Sequence, residues 1–253
     1  MSSTGSTPDS AAPPNHDRRG LPAAVLWDMD GTLVDTEHFW MDAETALVES
    51  FGGSWSHEQA LTLVGSGLDR SAEILQDAGV RMSVRDIVDH LTATVQDRLA
   101  TEGNPFRPGA VALLQGLRRA GVPTALVTMS LRSMATTVAD QMGFDAFDLV
   151  VAGDDVTRPK PFPDPYLQAC AALGVNPDDA LAIEDSPTGV RAATAAGVTT
   201  IGVPLMVPLD GTGAHALWAT LEDRTLDDLI RAHEARRAGH PTPGAAPDER
   251  VSA

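Results

Sequence analysis

The sequence predicts a doubly wound parallel α/β sheet with an α-helical segment inserted after its first strand. Three observations carry this expectation. Short, almost unbroken apolar runs recur along the chain, as in strands covered on both faces. Between the later runs lie segments with apolar residues at helical spacing, each ending in glycine. Residues 36–106 show helical periodicity alone.

In chain order, the first run is "AAVLW" (23–27), which empties into "DMDGTLVD" (28–35). Four helical segments follow: "EHFWMDAETALVESFG", "SHEQALTLVG", "LDRSAEILQDAG" and "VRDIVDHLTATVQDRLA". An insertion of this size exceeds a simple crossover and suffices for a small bundle. It leaves the sheet directly after the aspartates, so the bundle is expected above the sheet's carboxyl edge, where open α/β sheets bind ligands. The runs "PTALVT" (123–128), "DLVVAG" (148–153), "ALAIED" (180–185) and "VTTIGV" (198–203) then alternate with "PGAVALLQGLRRAG", "LRSMATTVADQMG", "PDPYLQACAALG" and "SPTGVRAATAAG". Such alternation implies a parallel sheet of Rossmann type. A last helix, "TLDDLIRAHEARR", opens on Thr225 as its cap and sets Leu226, Leu229, Ile230 and His233 on one face. The expected organisation is a core of residues 21–35 and 107–237 and a helical cap of residues 36–106. Tails at 1–20 and 238–253 are expected to be disordered, being rich in residues that bury little apolar surface.

Composition narrows the partners. Hydrophobic residues make up 43% of the 253 residues, enough for a sizeable core. The 35 acidic and 18 basic residues leave a net charge of −17, which repels nucleic-acid backbones and anionic lipid headgroups. Cys170 is the single cysteine, so an intramolecular disulfide and a cysteine metal cage are excluded. No apolar run approaches the roughly 20 residues that span a bilayer. The first residues lack the apolar region of a secretory signal. A cytoplasmic protein, monomeric or weakly homo-oligomeric, is expected.

The strand ends carry the chemistry. The first offers Asp28 and Asp30, the second Thr128 with Ser130 two positions on, and the fourth Glu184 and Asp185. Lys160 stands in the Pro-rich loop "RPKPFPDPY" after the third. Taken singly, each has a structural alternative: Asp-Gly as turn chemistry, Thr128 as a strand-end hydroxyl, Lys160 as a solvated charge, Asp185 or Ser186 as a helix cap. Gathered at one edge, several carboxylates need a cation between them. An all-oxygen set of this kind favours Mg²⁺, with a hydroxyl and a lysine left for phosphate oxygens.

These residues give the chain a resemblance to the haloacid dehalogenase-like hydrolase superfamily, in its helical-cap subgroup. The first motif stands as Asp28-Met29-Asp30-Gly31-Thr32-Leu33-Val34-Asp35 and the second falls on Thr128. The third reads Lys160-Pro161-Phe162-Pro163-Asp164-Pro165-Tyr166, and the fourth Glu184-Asp185-Ser186-Pro187-Thr188-Gly189. The resemblance implies that Asp28 is the nucleophile, forming an aspartyl-phosphate, and that Asp30 is the general acid and base. It also implies a Mg²⁺ held by Asp28, the Asp30 carbonyl, Asp185 and Glu184. Thr128, the Met129 amide and Ser130 would hold the phosphoryl group, with Lys160 relieving its charge. Gly65, in "LVGSGLDRSAEIL", matches the specificity-loop glycine of the cap.

Three functional classes follow. The leading one is a Mg²⁺-dependent phosphatase acting on a small phosphorylated metabolite of the sugar or polyol class. The second is a phosphomutase resembling β-phosphoglucomutase, which needs a cap cation for a second phosphate. Leu68 stands where that arginine aligns, and Arg70, two residues later, faces elsewhere. The third is a 2-haloacid dehalogenase, against which Asp30 and Asp185 argue. Trp40 and Trp55 are assigned to packing, His38 to the start of the bundle, Cys170 to inert core, and Asp35 to the shape of the loop.

Overall fold

A computed structural model describes residues 20–239. Apart from Gly20, Ala238 and Gly239, the two expected tails lie outside the described residues. The strands are β1 (Ala24–Trp27), β2 (Thr124–Val127), β3 (Leu149–Val151), β4 (Ala180–Glu184), β5 (Thr199–Gly202) and β6 (Ala216–Leu217). They form one sheet of order β3-β2-β1-β4-β5-β6, every pair parallel. The chain runs outward from β1 through β2 to β3, then crosses to the other side of β1 for β4. This reversal brings the carboxyl ends of β1, β2 and β4 side by side, the place where such sheets open a crevice.

Side-chain alternation in β1 divides the core. Val25 and Trp27 join one apolar cluster, whereas Ala24 and Leu26 join the other, on the opposite face. The second face is lined by small residues, among them Ala125, Ala180 and Ala182. They allow α7 (Asp164–Leu173) to pack against β1, β2 and β3, with Tyr166 fully buried at its first turn. The remaining helices of this half are α5 (Ala110–Arg119), α6 (Arg132–Asp140), α8 (Pro187–Ala195) and α9 (Leu226–Arg237). α9 opens on the expected cap: the Thr225 hydroxyl and amide both donate to Asp228. His233 on its buried face shares a 2.8 Å hydrogen bond with Thr199.

Between β1 and α5 lie α1 (Glu37–Ser50), α2 (His57–Leu61), α3 (Leu68–Asp77) and α4 (Val84–Glu102). Ser56 begins α2 with a reciprocal capping box to Gln59, and the Ser83 hydroxyl caps α4. α1 packs on α2 and α4, and α3 on α4. The chain leaves the sheet and returns to it along paired segments: the Asp35 amide donates to Pro105 (2.8 Å) and the Arg107 amide to Leu33 (2.9 Å). Among the described residues, no helix is long and apolar enough to cross a membrane.

Arg107, at this re-entry point, is only 8% exposed. Its guanidinium donates to the carbonyls of Gly31 (2.5 Å), Val203 (2.9 Å) and Pro204 (3.4 Å), tying the loop after β1 to the end of β5. Met at this position keeps the stem but strands those carbonyls. Arg107→Met is therefore expected to lower unfolding free energy by about 2–4 kcal/mol. Urea unfolding checks this, and an unchanged midpoint would show the clamp to be idle.

Candidate active site

β1 is entirely buried, and its next residue, Asp28, projects from the sheet's carboxyl edge into the site. The chain then tightens: the Met29 carbonyl accepts from the amides of Thr32, Leu33 and Val34. Gly31 takes φ +79°, and a Cβ there would stand 2.1 Å from an Asp185 carboxylate oxygen. Glycine is thus required both for the left-handed turn and for the approach of the acid behind it.

Lys160 is buried and reaches into the centre. Its ammonium donates to Asp28 Oδ1 (2.6 Å), Glu184 Oε1 (2.6 Å) and the Val127 carbonyl (2.9 Å), using all three protons. Tyr166 donates its hydroxyl to Glu184 Oε1 as well. Asp28, Glu184 and Asp185 offer carboxylate oxygens within 4.8 Å of one another. One ammonium among three buried acids leaves negative charge uncompensated. Burial, and next the neighbouring Glu184, push the Asp28 carboxyl up to about 7 against the pull of Lys160. Burial, and then Asp28, Glu37 and Glu184, hold Asp185 well above the ordinary carboxylate range. Asp185 Oδ1 accepts from Thr32 at 3.2 Å, while Oδ2 is buried without a partner among the described residues. A clustered, all-oxygen donor set with an orphaned oxygen fits a hard divalent cation.

Asp30 is presented differently. Its carboxylate lies outside that group and accepts from the hydroxyls of Thr36 (2.6 Å) and Ser130 (2.6 Å) and the Trp40 indole N–H (2.9 Å). Thr128 approaches it at 3.4 Å, and its hydroxyl also accepts from the Ser130 amide at 3.0 Å. Lys160 donates its amide to Met129 Sδ at 3.3 Å. Asp28, Asp30, Gly65, Thr128, Met129, Ser130 and Lys160 line a single pocket between the sheet edge and the inserted helices. Glu184 and Asp185 do not line it but sit close to Asp28. Gly65 has φ +69°, and its carbonyl accepts from Thr188 at 2.7 Å, so the loop before α3 rests on the first turn of α8.

Trp40 packs in the apolar core, as assigned, and in addition lines the pocket and donates its indole N–H to Asp30. Trp55 is buried outside the pocket lining, as assigned. His38 is exposed, 3.6 Å from Asp35. Cys170 is buried with its thiol pushed up to about 11, which keeps it inert. Sequence reasoning missed Glu37 and Glu44, both buried and both lining the pocket. Their signal was available: Glu37, Trp40, Met41 and Glu44 recur at i, i+3, i+4 and i+7, placing two acids on the inward face of α1.

A buried acid–lysine cluster at the switch point of a parallel sheet, beside a pocket that the inserted helices also line, fits a metal ion and belongs with the α/β enzymes. The chain belongs to the haloacid dehalogenase-like hydrolases, matching that family over residues 22–197. It is 32% identical over 183 residues to validoxylamine A 7'-phosphate phosphatase of Streptomyces hygroscopicus subsp. limoneus, covering 71% of this chain and 84% of that one. It is 32% identical over 190 residues to hexitol phosphatase A of Escherichia coli, covering 70% and 81%. Its fold resembles that of CbbY from Rhodobacter sphaeroides, solved in complex with phosphate. There the TM-score is 0.75 at 30% identity, with 83% of this chain and 99% of the other covered.

Proposed function

We propose that the protein is a Mg²⁺-dependent phosphatase hydrolysing a small phosphate monoester of the sugar or polyol class. The observation that carries this reading is the pairing at one pocket of Asp28, fixed by Lys160 at 2.6 Å, with Asp30, fixed beside Ser130 and Thr128. The family and the phosphatases among its relatives support it.

In the proposed reaction, an Asp28 carboxylate oxygen attacks phosphorus and the bond to the leaving oxygen breaks. Asp30 gives that oxygen its proton, so the product leaves as an alcohol. Asp30 then takes a proton from water, whose oxygen attacks the phosphorus of the aspartyl-phosphate. The bond to Asp28 breaks, freeing phosphate and restoring both acids. Lys160 keeps Asp28 oriented, and Thr128, the Met129 amide and Ser130 position the phosphoryl oxygens. Mg²⁺ held by Asp28, Asp185, the Asp30 carbonyl and Glu184 would supply charge neutralisation for the phosphate dianion. The helices of residues 36–106 act as a cap over the pocket, hinged at the paired segments near Asp35 and Arg107.

The mutase reading lacks a cation for a second phosphate: Lys160 is the only basic residue lining the pocket among the described residues. Leu68 lines it, whereas Arg70 points outward and pairs with Glu73 at 2.9 Å. The test is phosphate release across a panel of phosphorylated metabolites, with isomerisation of β-glucose 1-phosphate followed in parallel. Glucose 6-phosphate forming without phosphate release would overturn the phosphatase reading in favour of the mutase.

Because Trp40 donates to Asp30, Trp40→Phe keeps a ring but removes a donor that orients the proton carrier. A drop in kcat of about 10-fold is expected, with KM little changed, from the loss of one hydrogen bond to a carboxylate. Steady-state kinetics on the best panel substrate check it. A rise in KM alone would place Trp40 in substrate binding instead.

A further inference from the structure

α1 carries two acids toward the pocket, and only the first lies among the catalytic groups. Burial, and then the charges of Asp30, Asp28 and Glu44, hold the Glu37 carboxyl well above its ordinary range, which places it within electrostatic reach of the phosphate end. Glu44 comes two turns later, about 10 Å along the helix axis at 1.5 Å per residue. It is 5% exposed, yet its Oε2 has no hydrogen-bond partner among the described residues. The Trp55 indole N–H favours its ionised form without closing a hydrogen bond of ordinary geometry. The same pocket is lined by the apolar Met41, Leu63, Val64 and Leu68 and by Ser66 and Ser71. Burial pushes the Glu44 carboxyl up to about 8. A buried polar oxygen left without a hydrogen bond of ordinary geometry costs a fold stability. Such a residue is accounted for by a partner that arrives with the substrate.

We propose that Glu44 is a specificity-determining residue, accepting a hydrogen bond from a hydroxyl or ammonium group at the end of the substrate remote from the phosphate. The inference rests on the phosphatase reading and sharpens it. The alcohol portion of the ester carries a donor, not an anionic group, at its far end. A second phosphate or a carboxylate at that end finds no cation, since Lys160 is the only basic residue lining the pocket among the described residues.

The test uses the full chain with Mg²⁺ and three esters: sorbitol 6-phosphate, which offers hydroxyls, glucosamine 6-phosphate, which offers an ammonium, and phenyl phosphate, which offers no donor. The readout is the kcat/KM ratio of each sugar ester to phenyl phosphate. Glu44→Met is expected to lower at least one ratio by about 10- to 100-fold, the range for losing one hydrogen bond to a carboxylate. It is also expected to hold or raise Tm, since an unpartnered buried acid gives way to an apolar side chain of similar size. Glu44→Gln keeps an acceptor oxygen and separates the two donors. A ratio kept for sorbitol 6-phosphate identifies a hydroxyl, and a loss confined to glucosamine 6-phosphate identifies an ammonium. Phosphate release with both ratios unchanged in Glu44→Met overturns the inference alone. So does failure of that variant to fold, or a lower Tm with all three esters slowed alike, since each assigns Glu44 a structural role. No release from any ester by the unmodified protein overturns the phosphatase reading and the inference with it.

Discussion

Asp28→Asn is expected to lower kcat by at least about 10⁴-fold, the scale seen when a covalent nucleophile is removed. The fold should survive. Asn is isosteric with Asp, and Lys160 keeps its bonds to Glu184 and the Val127 carbonyl. The substitution also takes away a carboxylate that stands against Glu184 in a buried site, so Tm should hold or rise. Phosphate release and a thermal melt measured on the same preparation separate the two effects. Activity within about 100-fold of the parent would move the nucleophile elsewhere.

Chelation is expected to abolish turnover and Mg²⁺ to restore it, but the more direct signature is stability. A ligand present at about 100 times its Kd stabilises the folded state by about 2.7 kcal/mol. For a chain of this size that corresponds to a Tm increase of about 5–10 °C. Asp185→Asn should erase most of this increase, because the orphaned Oδ2 is the oxygen most in need of a cation. A melt indifferent to Mg²⁺ would remove the metal from this site whatever the activity did.

The parts of the protein legible in the sequence are those encoded locally. Each core strand is a short apolar run, and Asp28, Asp30, Thr128, Glu184 and Asp185 sit within a few positions of a strand end, while Lys160 stands out by its Pro-rich motif. Asp28, Thr128, Lys160 and Asp185 could be found without knowing how the strands pair. β6 could not. It has two residues, in a Pro- and Gly-rich stretch, and exists only through its pairing with β5. Arg107 reads as an ordinary surface charge until the fold brings carbonyls 76 and 96 residues away against it. Trp40 and Glu44 share a different reason. An aromatic or an acid on the inward face of a helix can meet either packing or a pocket, and only the docking of α1 over the sheet edge decides which.

The three bonds of the Lys160 ammonium bear on how activity appears during folding. They join residues that follow β1, end β2 and end β4, spread from position 28 to position 184. No shorter stretch of the chain contains all of them. A nascent chain, or a fragment cut before β4, holds the aspartate without the groups that orient it. Turnover therefore requires β1, β2 and β4 to have come together.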